Sequence, residues 1–442
     1  KMKRLLSLLL CVVLALFCAT TAQAAGVSIT LTASEYALHY AFDAGAQDPF
    51  VILEYTTPAE KGWMMLYSED GHFEGDVSLA YSGAGGKTSV ALTSARTTGS
   101  IGKASTTLPK AADYQKPTGK SNVKVMDFVL TETPEGFHYA FNAIGTDYML
   151  LYWRSKEQTV TQPVYPDENG HYEGDVISNL TFARTQFTVQ VKSGSGSMKK
   201  EATVRKGYQA PEAPQRQEGR LSGVTVCIDA GHQENGRFVK EPIGPGLSGS
   251  TSGKGGMAQG TKTNRRESIV CLEIGMLLRD ELLRQGANVI MTREDQTTFH
   301  TNIERCEIAE AGGAQIMLRL HCNNSSNRSK RGIQVYGPLN SDYAKAVADA
   351  DTYREMGQKL LDAMKTRVGM TLANSTGMVR LNDNYVGNNW AKMMCFLVEM
   401  GYLSNPAEEY LLVTPVYQQW LAEGMADGVY EIAVARGWVQ AQ

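Results

Sequence analysis

A chain of 442 residues is too long for one hydrophobic core, because domains usually hold roughly 100–200 residues, so two or three domains are expected. Its 43 basic and 46 acidic residues leave a net charge of −3. No basic tract of the kind that neutralises a phosphate backbone is present, which excludes nucleic acid as an expected partner.

Lys1, Lys3 and Arg4 precede an apolar run from Leu5 to Cys18, and Ala22-Gln23-Ala24 follows. A charged start, a short hydrophobic middle and an A-x-A end form the pattern of a secretory signal peptide over residues 1–24. The run falls short of the about 20 apolar residues that a membrane-spanning helix needs, so a retained anchor is the less favoured reading. Phe17 beside Cys18 argues against a lipid-modified cysteine. Loss of the three basic residues would take the net charge from −3 to −6. No second apolar segment of spanning length follows, and the mature protein is expected to be secreted, with no membrane contact after cleavage. The five remaining cysteines (Cys227, Cys271, Cys306, Cys322, Cys395) are odd in number and mostly in apolar surroundings, the pattern of small buried thiols rather than of a disulfide framework.

An internal repeat comes next. His39-Tyr40-Ala41-Phe42-Asp43-Ala44 returns as His138-Tyr139-Ala140-Phe141-Asn142-Ala143, and Gly71-His72-Phe73-Glu74-Gly75-Asp76-Val77 as Gly170-His171-Tyr172-Glu173-Gly174-Asp175-Val176, both at an offset of 99 residues. Short strand-like runs such as 50–55 and 149–153, with hairpin dipeptides at Asp70-Gly71 and Asn169-Gly170, predict an all-β sandwich for each copy, 26–105 and 121–205. Residues 95–120, rich in Ser, Thr, Gly, Lys and Pro, read as the join between copies. The four repeat histidines sit beside aromatics, without cysteine or carboxylate at ligand spacing along the chain, and read as packing or turn residues. Trp63 and Trp153 suit either a glycan platform or the core, with the core favoured. A Pro/Gln/Glu linker spans 206–220.

From 221 to 440 strand-like runs (223–229, 287–292, 314–320, 332–336, 393–398) alternate with helical stretches (266–285, 301–311, 341–367, 415–436). This alternation predicts an α/β domain, a mostly parallel central sheet flanked by helices. Ligands of such sheets collect beyond the carboxyl ends of the strands. Three of these strands end in a group capable of chemistry: the first at His232, the third at His321 and the last at Glu399. Two histidines suit a catalytic zinc site, which takes three protein ligands and leaves one position open. Glu267, after a 34-residue loop from Gln233 to Arg266, is the candidate third ligand. Asn264-Arg265-Arg266-Glu267 equally fits a helix capping box, and spacing alone leaves both readings standing.

These residues resemble the zinc-dependent N-acetylmuramoyl-L-alanine amidases of the type 3 family. The resemblance rests on Asp229-Ala230-Gly231-His232, on Glu267 with Leu272 and Ile274, on Thr292-Arg293 with Asp295 and Arg305, on His321-Cys322-Asn323, and on Leu397-Val398-Glu399-Met400-Gly401-Tyr402-Leu403-Ser404-Asn405, in that order. It implies Zn²⁺ held by His232, Glu267 and His321, Glu399 as the catalytic carboxylate, peptidoglycan as partner, and a location outside the cell or in its wall. The expected activity is cleavage of the amide between N-acetylmuramic acid and the L-alanine of the stem peptide.

Arg319 stands where a small serine is common and either binds a substrate carboxylate or pairs with an acid. Arg293 and Asn323 are further candidates for substrate contact. The loop after His232 carries eight glycines between Gly236 and Gly260 and reads as a substrate-gripping flap or a mobile surface. Two rival readings remain: another zinc hydrolase of the wall, an endopeptidase or deacetylase, and a non-catalytic wall-binding protein on the same fold. Oligomeric state is not legible.

Overall fold

A computed structural model describes residues 20–441 except 24–25, 36, 80–81, 113–122, 134–135, 146–148, 155–158, 178–183, 194–195, 206–210, 234–238, 252–255, 264 and 370–378. The signal-peptide reading up to residue 19, the first five linker residues and the capping residue Asn264 therefore lie outside the described residues. The chain divides into two compact units, 1–206 and 207–442.

The N-terminal unit is built of strands: β1 (Thr20–Gln23), β2 (Ser28–Ala33), β3 (Ala37–Asp43), β4 (Phe50–Thr56), β5 (Glu60–Tyr67), β6 (His72–Ser78), β7 (Gly86–Ser94), β8 (Ser100–Leu108), β9 (Lys124–Thr133), β10 (Gly136–Ile144), β11 (Met149–Arg154), β12 (Thr159–Val164), β13 (His171–Ile177), β14 (Arg184–Ser193) and β15 (Gly196–Arg205). β10 to β13 each begin 99 residues after β3 to β6, in the same order. In each copy a small sheet (β1-β2-β3-β6, or β13-β10-β9) supplies one side of a hydrophobic cluster, and strands of an eight-stranded sheet supply the other. Phe42 stacks on Phe73 at 4.9 Å, and Phe141 on Tyr172 at 4.6 Å, at equivalent positions. Tyr40 lies over Gly75, where a Cβ would come within 2.8 Å of its hydroxyl, and Tyr139 covers Gly174 in the same way. The glycine of the repeated motif is thus the floor under a tyrosine.

Two expectations change here. The eight-stranded sheet, in order β15-β14-β11-β12-β5-β4-β7-β8, runs through both copies, joined where Val160 pairs with Glu60. β5 and β12 would otherwise be open edges with unpaired backbone groups, and pairing them closes both. Residues 95–120, read from composition as the join, instead contain β8, in which Gly102, Ala104, Thr106 and Leu108 are buried and Lys103, Ser105 and Thr107 exposed. Small residues on the inner face hid the period-2 pattern. Trp153 is fully buried, edge-on to Phe137, and is no glycan platform.

The C-terminal unit alternates β16 (Thr225–Ala230), α1 (Glu267–Arg284), β17 (Asn288–Met291), α2 (Asn302–Ala311), β18 (Ile316–Asn323), β19 (Gln334–Gly337), α3 (Asp342–Val347), α4 (Ala350–Val368), β20 (Val379–Leu381), α5 (Val386–Trp390), β21 (Met394–Tyr402), α6 (Glu408–Leu411) and α7 (Pro415–Ala435). The sheet order is β17-β16-β18-β21-β19-β20. It is mixed: β19 runs antiparallel to β21, whereas the other pairs are parallel. β16, β18 and β21 are apolar and almost wholly buried, as strands covered on both faces must be. The helix expected over 341–367 breaks at Ala348, and Asp349 caps α4 by accepting from the Thr352 backbone. The five cysteines expected to be buried thiols are all free and buried.

Under the strand ends lies a buried ionic network. Asp229, with no exposed surface, is paired with Arg305 and, at 2.8 Å, with Arg319. Burial alone would raise its carboxyl, but the two guanidiniums outweigh that and hold it well below the usual carboxylate range. Arg319 reaches on to Asn302 Oδ1 and lies against Gly387, where any Cβ would meet the guanidinium. Removing one member of such a set strands the others without compensation. Asp229→Asn is therefore expected to cost about 3–5 kcal/mol of stability, read as a lowered denaturant midpoint; a change below about 1 kcal/mol would show that the network is dispensable.

Candidate metal centre

β16 ends at Ala230 and the chain turns through Gly231 to His232. His232 adopts φ +57°, a left-handed conformation that costs a non-glycine residue about 1–3 kcal/mol and persists only where its surroundings enforce it. Those surroundings are two arginines. Arg293 donates to the carbonyls of Ala230, Gly231 and Ser268 at 2.8, 2.9 and 2.7 Å, and Arg305 to those of Ala230 and His232 at 2.9 and 3.2 Å. Gly231 is required by close approach: a Cβ there would lie 2.4 Å from the Leu320 carbonyl and 2.6 Å from the His321 ring.

The turn brings His232 Nε2 to 3.1 Å from Glu267 Oε1, and β18 brings His321 Nδ1 to 2.9 Å from the same oxygen. The two imidazoles meet edge to face with centroids 4.9 Å apart. One ligand atom from each of the three residues lies within 4.8 Å of the others, the only such group of His, Cys, Asp or Glu found among the described residues. The capping-box alternative for Glu267 does not hold. Arg266 is the N-cap of α1 and makes no side-chain cap bond, while the Glu267 carboxylate accepts from the backbones of Ala258 at 2.7 Å and Cys322 at 3.1 Å and faces both histidines. Burial would raise its carboxyl, but the bonds to His232 and His321 dominate and hold it well below the usual range. Burial also pushes the His321 imidazole down, toward the neutral form that a metal requires. An ionised carboxylate and a neutral imidazole converging with a second ring nitrogen form a donor set that fits a divalent cation of the zinc class.

Glu399 sits across from His321 in the β18–β21 register. Burial, reinforced by the charge of Glu267, pushes its carboxyl up to about 8, and among the described residues no donor reaches its Oε2. The trio and Glu399 line a cavity of about 420 Å³ shared with Thr251, Met257, Asn323 and Tyr385. Met257 and Ala258 belong to the glycine-rich loop, whose described part is a wall of the cavity; Gly236 and its neighbours lie outside the described residues.

The substrate-contact candidates separate. Asn323 remains on the cavity wall, its amide bonded to Gln334 at 3.2 Å. Arg319 is spent on Asp229 and Asn302, so pairing with an acid is the reading the structure shows. Arg293, 2 % exposed, is spent on backbone carbonyls and does not line the cavity, so it is corrected from a substrate contact to a support of the site. Arg319 supports the site through Asp229 and also lines the cavity. Tyr336 and Tyr385, T-stacked at 5.1 Å, were not singled out from the sequence. Neither belongs to a motif, and Tyr385 stands in a connection just before the missed helix α5.

Residues 226–431 match the family described as N-acetylmuramoyl-L-alanine amidase. A germination-specific N-acetylmuramoyl-L-alanine amidase of Bacillus subtilis is 26 % identical over 231 residues, covering 49 % of this chain and 83 % of the relative. A probable cell wall amidase, LytH, of Staphylococcus aureus is 27 % identical over 218 residues, covering 48 % of this chain and 60 % of the relative's length. The solved N-acetylmuramoyl-L-alanine amidase of Clostridium difficile 630 superposes with a TM-score of 0.38 at 23 % identity, covering 48 % of this chain and 96 % of that one. The amidase Ami1 of Mycobacterium smegmatis superposes with a TM-score of 0.43 at 17 % identity, covering 49 % and 99 %.

Gly231→Ala tests the close approach. The added carbon must displace the His321 ring, and affinity of the trio for a divalent cation, read by competition with a chromogenic chelator, is expected to fall by about 10–100-fold. Unchanged affinity would show that the ring position does not depend on this glycine.

Proposed function

We propose, from a C-terminal domain that matches the N-acetylmuramoyl-L-alanine amidase family over residues 226–431, that this protein is a peptidoglycan hydrolase cutting the amide between N-acetylmuramic acid and the stem-peptide L-alanine. The observation that carries the reading is the convergence of His232, Glu267 and His321 beside Glu399, whose Oε2 is buried with no donor reaching it, in one cavity. We assign the three as ligands of Zn²⁺ and Glu399 as the catalytic residue. Bound there, zinc supplies Lewis acidity toward the scissile carbonyl and toward a water.

The chain's own groups do the rest. Glu399 takes the proton of the attacking water and returns it to the departing amine of alanine. Its desolvated site suits both steps, because a carboxylate held without donors is a stronger base than one in water. Glu267, held ionised chiefly by His232 and His321, serves as a ligand rather than a second base. Tyr385 and Asn323 line the cavity wall, which supports a role for them in flanking the stem peptide.

In the N-terminal unit we read each copy as one β-sandwich with its own hydrophobic cluster, the two fused through a shared sheet. Relatives named as cell wall amidases favour a secreted or wall location. No helix among the described residues is long and apolar enough to cross a membrane.

Digestion of purified peptidoglycan tests the reaction. The expected products are stem peptides with a new N-terminal L-alanine, together with glycans bearing free lactyl groups; acetate would identify a deacetylase, and peptides cut internally an endopeptidase. Glu399→Gln is expected to keep the metal and lower kcat by about 10²–10⁴-fold. Undiminished turnover removes Glu399 from the mechanism. Chelation should abolish activity and added zinc restore it, whereas a chelator-resistant enzyme rules out the metal assignment.

A further inference from the structure

The floor of the cavity is a stretch of sheet, and its register shows what lies beyond the residues that line it. Across β16, β18, β21, β19 and β20 one row holds Asp229, Arg319, Leu397, Tyr336 and Arg380 as successive partners, their side chains on one face. Two residues along, His321, Glu399 and Gln334 form the next row on that same face. Arg319, Leu397, His321 and Glu399 line the cavity, so this face is its floor. Arg380 stands where the floor reaches the β20 edge of the sheet.

The arginines nearer the centre of the sheet are spent, Arg305 and Arg319 on Asp229 and Arg293 on backbone carbonyls. Arg380 is exposed, and among the described residues it makes no hydrogen bond or ion pair. A charge on an edge strand often serves only to discourage pairing with another chain. What sets Arg380 apart is the ground between it and Glu399. Tyr336 stands there, its hydroxyl donating to Gln334 Oε1 at 2.6 Å, and the Asn323 amide donates to the same oxygen at 3.2 Å. Tyr385, T-stacked on Tyr336, lines the cavity. Burial pushes the Tyr336 hydroxyl up, Glu399 adds to that and Arg380 opposes it, so this ring lies in the field of both charges.

From the buried acids Glu267 and Glu399, the floor thus passes over neutral polar and aromatic groups to a cation. An elongated ligand that carries a carboxylate away from its scissile bond is oriented by such a gradient, repelled at one end and attracted at the other. The spacing fits a short peptide. With strands about 4.8 Å apart and residues about 3.3 Å along them, the Cα atoms of Glu399 and Arg380 are separated by roughly 12 Å. An extended peptide advances at most about 3.6 Å per residue, which puts the residue after a cleaved alanine about 7 Å from the scissile bond. An arginine side chain spans the remainder, and its planar fork meets a carboxylate through two parallel N–H donors.

We propose, resting on the amidase reading of this cavity, that Arg380 is a specificity-determining residue. It binds a free carboxylate on the stem-peptide residue that follows alanine, and so directs the peptide from Glu399 across β19 toward the β20 edge. Arg380 reaches none of the reacting atoms, and its contribution is to binding.

Two muramoyl tripeptides test the contact: N-acetylmuramoyl-L-Ala-γ-D-Glu-L-Lys and its D-isoglutaminyl counterpart differ only in a carboxylate against a carboxamide on the second residue. The full-length zinc-loaded protein is expected to favour the carboxylate form by about 5-fold in kcat/KM, chiefly through KM. Arg380→Gln should bring the two forms to equality, Arg380→Lys should keep part of the preference, and rising ionic strength should shrink it. Calorimetric titration of Glu399→Gln with the same pair reads the contact without turnover, and the same preference is expected there. Far-UV circular dichroism checks that the variants fold. Equal cleavage of both forms by the unaltered protein, or a preference untouched by Arg380→Gln, overturns the carboxylate contact, leaves Arg380 a guard of the sheet edge and leaves the amidase reading standing. Cleavage of neither form overturns the amidase reading, and the proposal falls with it.

Discussion

The C-terminal unit depends on how one strand end is held. At the tip of β16 the carbonyls of residues 230–232 point at two buried guanidiniums, and that grip makes the left-handed His232 affordable. The same groups tie together the three elements that carry His232, Glu267 and His321. Arg293 bonds the strand end and the Ser268 carbonyl in the first turn of α1, so His232 and Glu267 share an anchor. Asp229, one residue before Ala230, takes Arg319 from β18, the strand that carries His321. Three converging side chains far apart in the chain are therefore set by a single buried polar network.

This explains why arginine at 319 reads ambiguously. A serine there would leave one side of Asp229 without a charge partner, so an arginine on the inward side of a buried strand looks like a substrate ligand until Asp229 is seen behind it. Asp229 and Arg305, which do not line the cavity, constrain it through the positions they impose on His232 and His321.

Much of the catalytic half was legible because strand ends in an α/β sheet are both apolar runs and functional positions. Val224 to His232, Gln315 to His321 and Met393 to Glu399 each show a buried run breaking off at a polar group. Whether Glu267 caps its helix or faces the histidines was not decidable from spacing, since a first-turn glutamate serves a cap equally well; the fold turns its carboxylate to His232 and His321. β20, α5 and α6 were missed because they are three to five residues long, too short to show a period. In the N-terminal half the hairpins and the repeat were legible, but β8 was not, since Gly102, Ala104 and Thr106 bury a face without large side chains. The pairing of β5 with β12 has no local signal, because it joins strands about 100 residues apart through only two paired positions.

The two halves also place their histidines by different rules. In the C-terminal unit His232 and His321 stand toward strand ends, where a strained turn bends His232 toward the cavity. In the repeats the histidines stand along strand faces, where the pleat alone aligns alternate residues and no strain is needed. Alignment along a face depends wholly on register: slipping β6 by one residue against β3 would turn His72, Glu74 and Asp76 inward and expose Phe73 and Val77. Burial of Phe73 against Phe42, and the fit of Tyr40 over Gly75, forbid that slip. The apolar side of each small sheet thus dictates the geometry of its polar side, which is why His39 beside Asp76 recurs, with its core contacts, as His138 beside Asp175.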